Sequence, residues 1–421
     1  MQFVYIRRFL ITPYNIVRQY GILYLAIYIF SRVRWKYLTF EIRKLYFARN
    51  HKKRAQDFVC DEQQITKEIV SCGLQSILQI KSKYANLYSD RKDLRFLFHI
   101  PPEGGAPHFY FLDLSQCLRH AGIIVYLYTG TAKNLEKVLS DFRPSVFLTC
   151  DCPYWSKTSQ SESASLHEYK KRHGLARLYI PHYLSPLKKR EASALELKRI
   201  SLHQSGKLAD AFLGYFEDVF WDEFCDHWKK TGLQYYSIPF AANPIRHYPI
   251  ISPKDYDWGI ATANFDLGTR AALTYKYMGR IIGAYNGVIA GYNWGEGINT
   301  IPPNQIAQFF SRVRVSPNIA AEANVRYPLD CGAKVHELSA MGVFQLASET
   351  AVLRKYYSPT EIIGFSSPEE FNALFDYFVY KPQVRKMYLM NGMARTLAEN
   401  TYFQRIEKLI KALDQHPELF R

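Results

Sequence analysis

Two charged residues one helical turn apart, Lys334 and Glu337, have the types and spacing to hold a ligand. A strand signal ends at Ser316-Pro317-Asn318, a loop runs to Gly332, and a helix opens at Ala333 with lysine as its second residue. A cation is disfavoured there, because the dipole already makes a helix N-terminus positive. A diphosphate bound to the free backbone N–H groups reverses that sign and makes Lys334 favourable. Glu337 lies on the same face, where a carboxylate can accept hydrogen bonds from a ribose diol. The alternative is a plain Lys334–Glu337 pair on a solvated surface, in the weaker of the two orientations for such pairs.

Other chemistry-bearing residues fall just past strand signals. The loop "PPEGGAPHF" carries Gly104-Gly105, which lets the backbone approach a ligand closely, although it also reads as an ordinary Gly-Pro loop. It is not GxGxxG, so a dinucleotide fingerprint is absent. His108, Asp151 and His182 also follow strand ends, where each can serve as base or acceptor contact, or simply as a packing and hydrogen-bonding residue. Asp255-Tyr256-Asp257 spells DxD, but it opens a strand after a proline-rich stretch and is read as coincidence. No metal-ligand cluster stands out, and neither a metal nor another cofactor is expected.

The elements that must position these residues alternate. A helix over 61–90 precedes strands at 94–100, 123–130, 145–150, 176–181 and 209–215, with helices between them and "VFWDEFCDHWKKTG" after. Short connections between alternating strands and helices predict a parallel, doubly wound sheet. After Gly232 the run "LQYYSIPFAANPIRHYPIISPKDY", with prolines at 239, 244, 249 and 253, reads as a linker between domains. A second alternating set follows, with strands at 257–264, 287–293, 312–318, after Gly342 and at 361–367, then a helical tail. The expectation is an α/β chain divided into a basic helical segment (1–90), a first Rossmann-like domain (91–240), a second Rossmann-like domain (241–400) and a closing helix (401–421).

Composition bounds the partners. The net charge is +16, yet residues 1–60 carry 12 Lys/Arg against Glu41 and Asp57 alone. That excess of +10 on an aromatic-rich leader fits a helix lying in an anionic membrane interface, or an amphipathic cap packed on the next domain. The longest uncharged run, Gln19 to Ser31, has 13 residues, short of the about 20 that a span needs. The stretch is too apolar for a solvated phosphate-binding arm, so nucleic acid is not expected as a partner. Seven cysteines without a repeated framework read as free thiols in a reducing compartment. On the interface reading the expected location is cytoplasmic, peripheral on the inner face of the cytoplasmic membrane.

From about Tyr256 onward the chain resembles the C-terminal domain of GT-B glycosyltransferases, in particular the CgeB-like (spore-maturation) group. The resemblance rests on Lys334-Val-His-Glu337-Leu-Ser339-Ala-Met-Gly342 before the apolar strand Val343–Leu346, and on "SPNI", "PTEIIGFSSPEEF", "ENTYFQRIEKLI" and "IPFAANP". It implies two Rossmann-like domains facing a cleft, the first (91–240) holding the acceptor and the second (241–400) a nucleotide-sugar donor. Glu337 would bind the ribose, Lys334 and the helix start behind Gly332 the diphosphate, and Arg270 a phosphate. Asn318 would end the strand before the donor loop, with Gly104-Gly105 facing the donor across the cleft. The implied acceptor is an envelope glycan, lipid-linked or lipopolysaccharide-type. The sequence departs from the family at Leu329, where retaining members often carry a second glutamate; Asp330 stands beside it as a substitute. A nucleotide-sugar epimerase or a non-catalytic scaffold on the same fold are the alternatives.

Overall fold

The computed structural model describes residues 34, 36–46, 59–100, 106–129, 132–150, 159–181, 194–205, 208–264 and 269–421. Within them the chain forms two parallel α/β domains. The first sheet has the order β2-β1-β3-β4-β5-β6. Its strands are β1 (Arg95–His99), β2 (Ile124–Tyr128), β3 (Val146–Cys150), β4 (Ala176–Ile180), β5 (Ala211–Gly214) and β6 (Tyr235–Ser237). The second has the order β11-β10-β9-β7-β8, from β7 (Tyr256–Ala261), β8 (Gly287–Ala290), β9 (Val313–Asn318), β10 (Gln345–Ser348) and β11 (Ile363–Phe365). Every pairing is parallel, and β3 and β5 are buried along their whole length, as strands covered on both faces must be. In each sheet the strand order reverses beside the first strand, at β1/β3 and at β7/β9. A crevice opens beyond the carboxyl ends at such switch points.

One element departs from the expected linker. Residues 235–237 form β6 and complete the first sheet, so the crossing between domains starts only after Ser237. The departure has a local cause: Tyr235 and Tyr236 are strand formers, and Tyr235 stacks on Trp221 at 4.3 Å.

Two helices tie the domains together. Helix α2 (Val59–Tyr84) packs along α15 (Pro382–Glu399), where Ile65, Ile69 and Ile77 meet Met393 and Leu397. Its Glu62 is buried and shared by Arg385 and Arg314, the latter at 2.8 Å. At its other end Tyr84 stacks on Phe403 at 4.7 Å, inside the core of the first domain. Helix α16 (Tyr402–Gln415) starts with a Thr401/Gln404 capping box and returns to pack on α3 (Ala106–His120) of the first domain. The chain therefore crosses between the domains at 238–247 and at 399–402, and the two crossings lie side by side: Ala242 N–H donates to Asn400 O at 2.9 Å, and Tyr402 N–H to Ala242 O at 2.8 Å. A short helix, α1 (residues 36–46), lies on the second domain, with Ile42 and Tyr46 in its core.

Candidate functional site

The second domain's switch point is closed by a hydrogen bond between the loops that leave its two strands. Arg270, near the start of α9 (Thr269–Ala284), donates from Nη1 to Ile319 O at 2.5 Å. Asn318, the last residue of β9, donates Nδ2 to Gln345 Oε1 at 3.0 Å. The Gln345 amide in turn donates to Val335 O and Ser339 Oγ, which fixes α12 (Ala333–Ala340) against β10. Gly332 supplies the N-cap with φ +77°, a backbone state that suits glycine, and its N–H donates to Asp330 Oδ1 at 2.7 Å. Burial raises the Asp330 carboxyl to about 6, against the pull of that N–H.

Lys334 donates from Nζ to Glu337 Oε2 at 2.7 Å, and its ammonium lies 5.4 Å from the centre of the Phe310 ring. The pair is not on a solvated surface: Glu337 is buried, while Lys334 keeps a third of its side chain exposed. Burial works against the Glu337 charge, but the Lys334 and Arg246 cations outweigh it and hold the carboxyl down at about 2.

His247 and Arg246 belong to the first interdomain crossing, which sequence reasoning treated as a plain linker. Asn243 begins the cluster. Its Nδ2 donates to Asp113 Oδ1 (2.9 Å) and Gln116 Oε1 (2.7 Å) of α3, and its backbone N–H donates to His247 Nδ1 at 3.0 Å. Arg246 reaches Asp113 Oδ2 at 2.5 Å. Burial raises Asp113 well above the usual carboxylate range despite Arg246 and Asn243, and it lowers His247 to about 3, so that the imidazole is neutral. Because His247 Nδ1 accepts, its proton sits on Nε2, which is then a hydrogen-bond donor. The only signal in the sequence was two basic residues, Arg246-His247, inside an apolar, proline-rich run.

One ligand atom each of Asp113, His247 and Glu337 lie within 4.8 Å of one another, and all three residues are buried. A divalent ion fits this set poorly. Arg246 and Lys334 already neutralise both carboxylates, and ligation through Nε2 would require the Asn243 N–H to leave Nδ1.

A second contact joins the domains. Buried Glu217 accepts from Tyr356 Oη at 2.6 Å and Lys355 Nζ at 2.5 Å, and its N–H donates to Leu329 O at 2.8 Å. Leu329 is buried in the first domain's core. The position at which the resemblance implies a second glutamate is thus an apolar interdomain contact, and Asp330 beside it binds its own loop.

The other candidates spread out. His108 lies within the first turn of α3 rather than in a loop, edge-on to Phe109 at 5.6 Å. Gly104, Gly105, Asp151 and His182 lie outside the described residues. Both DxD carboxylates are taken up by arginines, Asp255 by Arg312 at 2.6 Å and Asp257 by Arg314 at 2.8 Å.

Residues 270–411 match the family described as Glycosyl transferase-like. The matched stretch covers most of the second domain. The match spans Arg270, Lys334 and Glu337 and ends within α16. No curated protein matches the chain by sequence. Among solved structures, sucrose-phosphate synthase from Thermosynechococcus elongatus is 14% identical with a TM-score of 0.53, covering 76% of this chain and 98% of that one. Anabaena HepE in complex with UDP is 9% identical with a TM-score of 0.51, covering 76% and 100%. T4 phage BGT in complex with UDP-glucose is 12% identical with a TM-score of 0.50, covering 77% and 99%. At such identities these likenesses establish the fold, the two-domain GT-B arrangement, across nearly the whole length of each neighbour.

Proposed function

We propose that the chain is a glycosyltransferase of the GT-B type that takes its sugar from a nucleotide-sugar donor held between the domains. The observation that carries this reading is the Lys334–Glu337 pair at the start of α12, beside the interdomain cluster. When a diphosphate occupies the helix start, the Lys334 ammonium turns to it, and the Glu337 carboxylate, kept ionised, accepts from the ribose hydroxyls. Asn318 and Arg270 hold the loop behind the donor.

In the reaction the acceptor hydroxyl oxygen bonds to the anomeric carbon and the anomeric carbon–phosphate oxygen bond breaks. The nucleoside diphosphate leaves with the electron pair, and the hydroxyl proton passes to a base from the set His108, Asp151, His182 and Asp330. Lys334 and the α12 dipole meet the charge on the leaving group, which is why no metal is invoked. The acceptor we propose is an envelope glycan, lipid-linked or lipopolysaccharide-type, met at an anionic membrane surface on the cytoplasmic side. No helix among the described residues is long and apolar enough to cross a membrane.

The test is calorimetry with a panel of nucleoside diphosphates, starting with UDP, the nucleotide bound by HepE. One of them should bind, and Glu337→Ala and Lys334→Ala should each weaken it by at least tenfold; no binding, or binding untouched by both variants, rejects the reading. Leu329 in place of a second acid favours one alternative, a nucleotide-binding scaffold without transfer. Donor hydrolysis or transfer by the purified chain excludes it.

A further inference from the structure

Helix α1 has two unlike faces. Inward, Ile42 and Tyr46 are buried, with Tyr46 edge-on to Trp258 at 6.5 Å. Asn264 Nδ2 donates to the Thr39 hydroxyl at 3.1 Å, and Arg43 Nη2 donates to Glu296 O at 2.9 Å. Outward, Lys36, Phe40 and Lys44 form one i, i+4, i+8 row, with Tyr37 beside it. Tyr37 and Phe40 are 62% and 61% exposed, although both rings sit on a helix whose other face is well packed.

The place of the helix gives that face a direction. Asn264 and Glu296 follow β7 and β8, so residues 39–43 of α1 lie at the carboxyl end of the second sheet. Asn318 ends β9 at that same end, and Gly332 and Lys334 follow it. An outward row of rings between lysines suits the headgroup level of a bilayer, where the rings are half immersed and the ammonium groups meet lipid phosphate. The surrounding sequence has the complementary sign, with 12 Lys/Arg against two acids over residues 1–60.

We propose that the Lys36–Tyr37–Phe40–Lys44 face of α1 docks on an anionic lipid surface and turns the carboxyl end of the second sheet toward it. The consequence that this presents the sugar donor to a lipid-borne acceptor rests on the glycosyltransferase reading; the docking itself does not.

Flotation of the full chain tests it, with vesicles of phosphatidylcholine alone and of phosphatidylcholine mixed with phosphatidylglycerol. The chain should float with the mixed vesicles only, and less so as salt rises. Lys36→Gln/Lys44→Gln should lower partitioning roughly 25-fold, at about fivefold per lysine, and Tyr37→Ser/Phe40→Ser should lower it independently. Melting temperature and nucleotide binding should be unchanged in both variants, which separates failure here from failure of the donor site. A chain that stays at the bottom with mixed vesicles overturns the proposal. So do variants that float like the parent, or a self-association by light scattering that the variants abolish.

Discussion

Lys334 answers the positive end of α12 by pairing with a carboxylate buried one turn on, and the two charges depend on each other. The usual glutamate value is 4.5, and in the folded chain Glu337 sits at about 2. A carboxyl depressed by folding contributes stability above its unfolded value and loses it as pH falls toward the folded one. The window is therefore from about pH 4.5 down to 2, and the full contribution is on the order of 3 kcal/mol. Glu337→Gln removes that contribution. Urea titrations should show the parent more stable than the variant near pH 6, with the difference shrinking steadily between pH 5 and pH 3. A difference independent of pH would mean that Glu337 acts through shape rather than charge.

At the scale of elements, the turn between α12 and β10 controls how the site is presented. Gly342 has φ +62°, and a Cβ there would lie 2.8 Å from Ile69 Cγ2 on α2. Both effects oppose a side chain: left-handed backbone strain, and contact with a helix held by buried ion pairs. Gly342→Ala should cost about 1–3 kcal/mol in chemical denaturation and should weaken nucleotide binding if α2 or α12 shifts to relieve the contact. The same packing shows that α2 belongs to the body of the molecule, since it braces the donor-side turn at Ile69 and the first domain's core at Tyr84.

Across the whole molecule, the domains are joined by exchange as well as by contact. Helix α16 follows the second domain in sequence but buries Tyr402, Phe403, Ile406, Leu409, Ile410 and Leu413 in the core of the first. At about 1.5–3 kcal/mol for each large apolar side chain, these six contribute on the order of 10 kcal/mol, comparable with the whole stability of a domain. A chain ending at residue 400 should therefore lose cooperative unfolding of the first domain and be cut rapidly by protease within 94–237. Retention of a sharp melt with protease resistance would show that the first core closes without α16.

Alternating strands and helices and their periodicity determined the two parallel sheets, because those signals are local in the chain. The start of α12 was legible for the same reason: Gly332, Lys334 and Glu337 are within one turn and a cap of each other. Reading everything from 233 to the proline at 253 as linker concealed the short strand β6 and the Asn243–His247 cluster. Only tertiary structure decided that Asp113 of one domain and Glu337 of the other meet across that crossing, that Leu329 is an interdomain contact rather than a ligand position, and that α16 returns to the first domain. Each of these joins residues far apart in the chain, and burial, which shifts the charges of Asp113, His247 and Glu337, exists only once both domains have closed on the same segment.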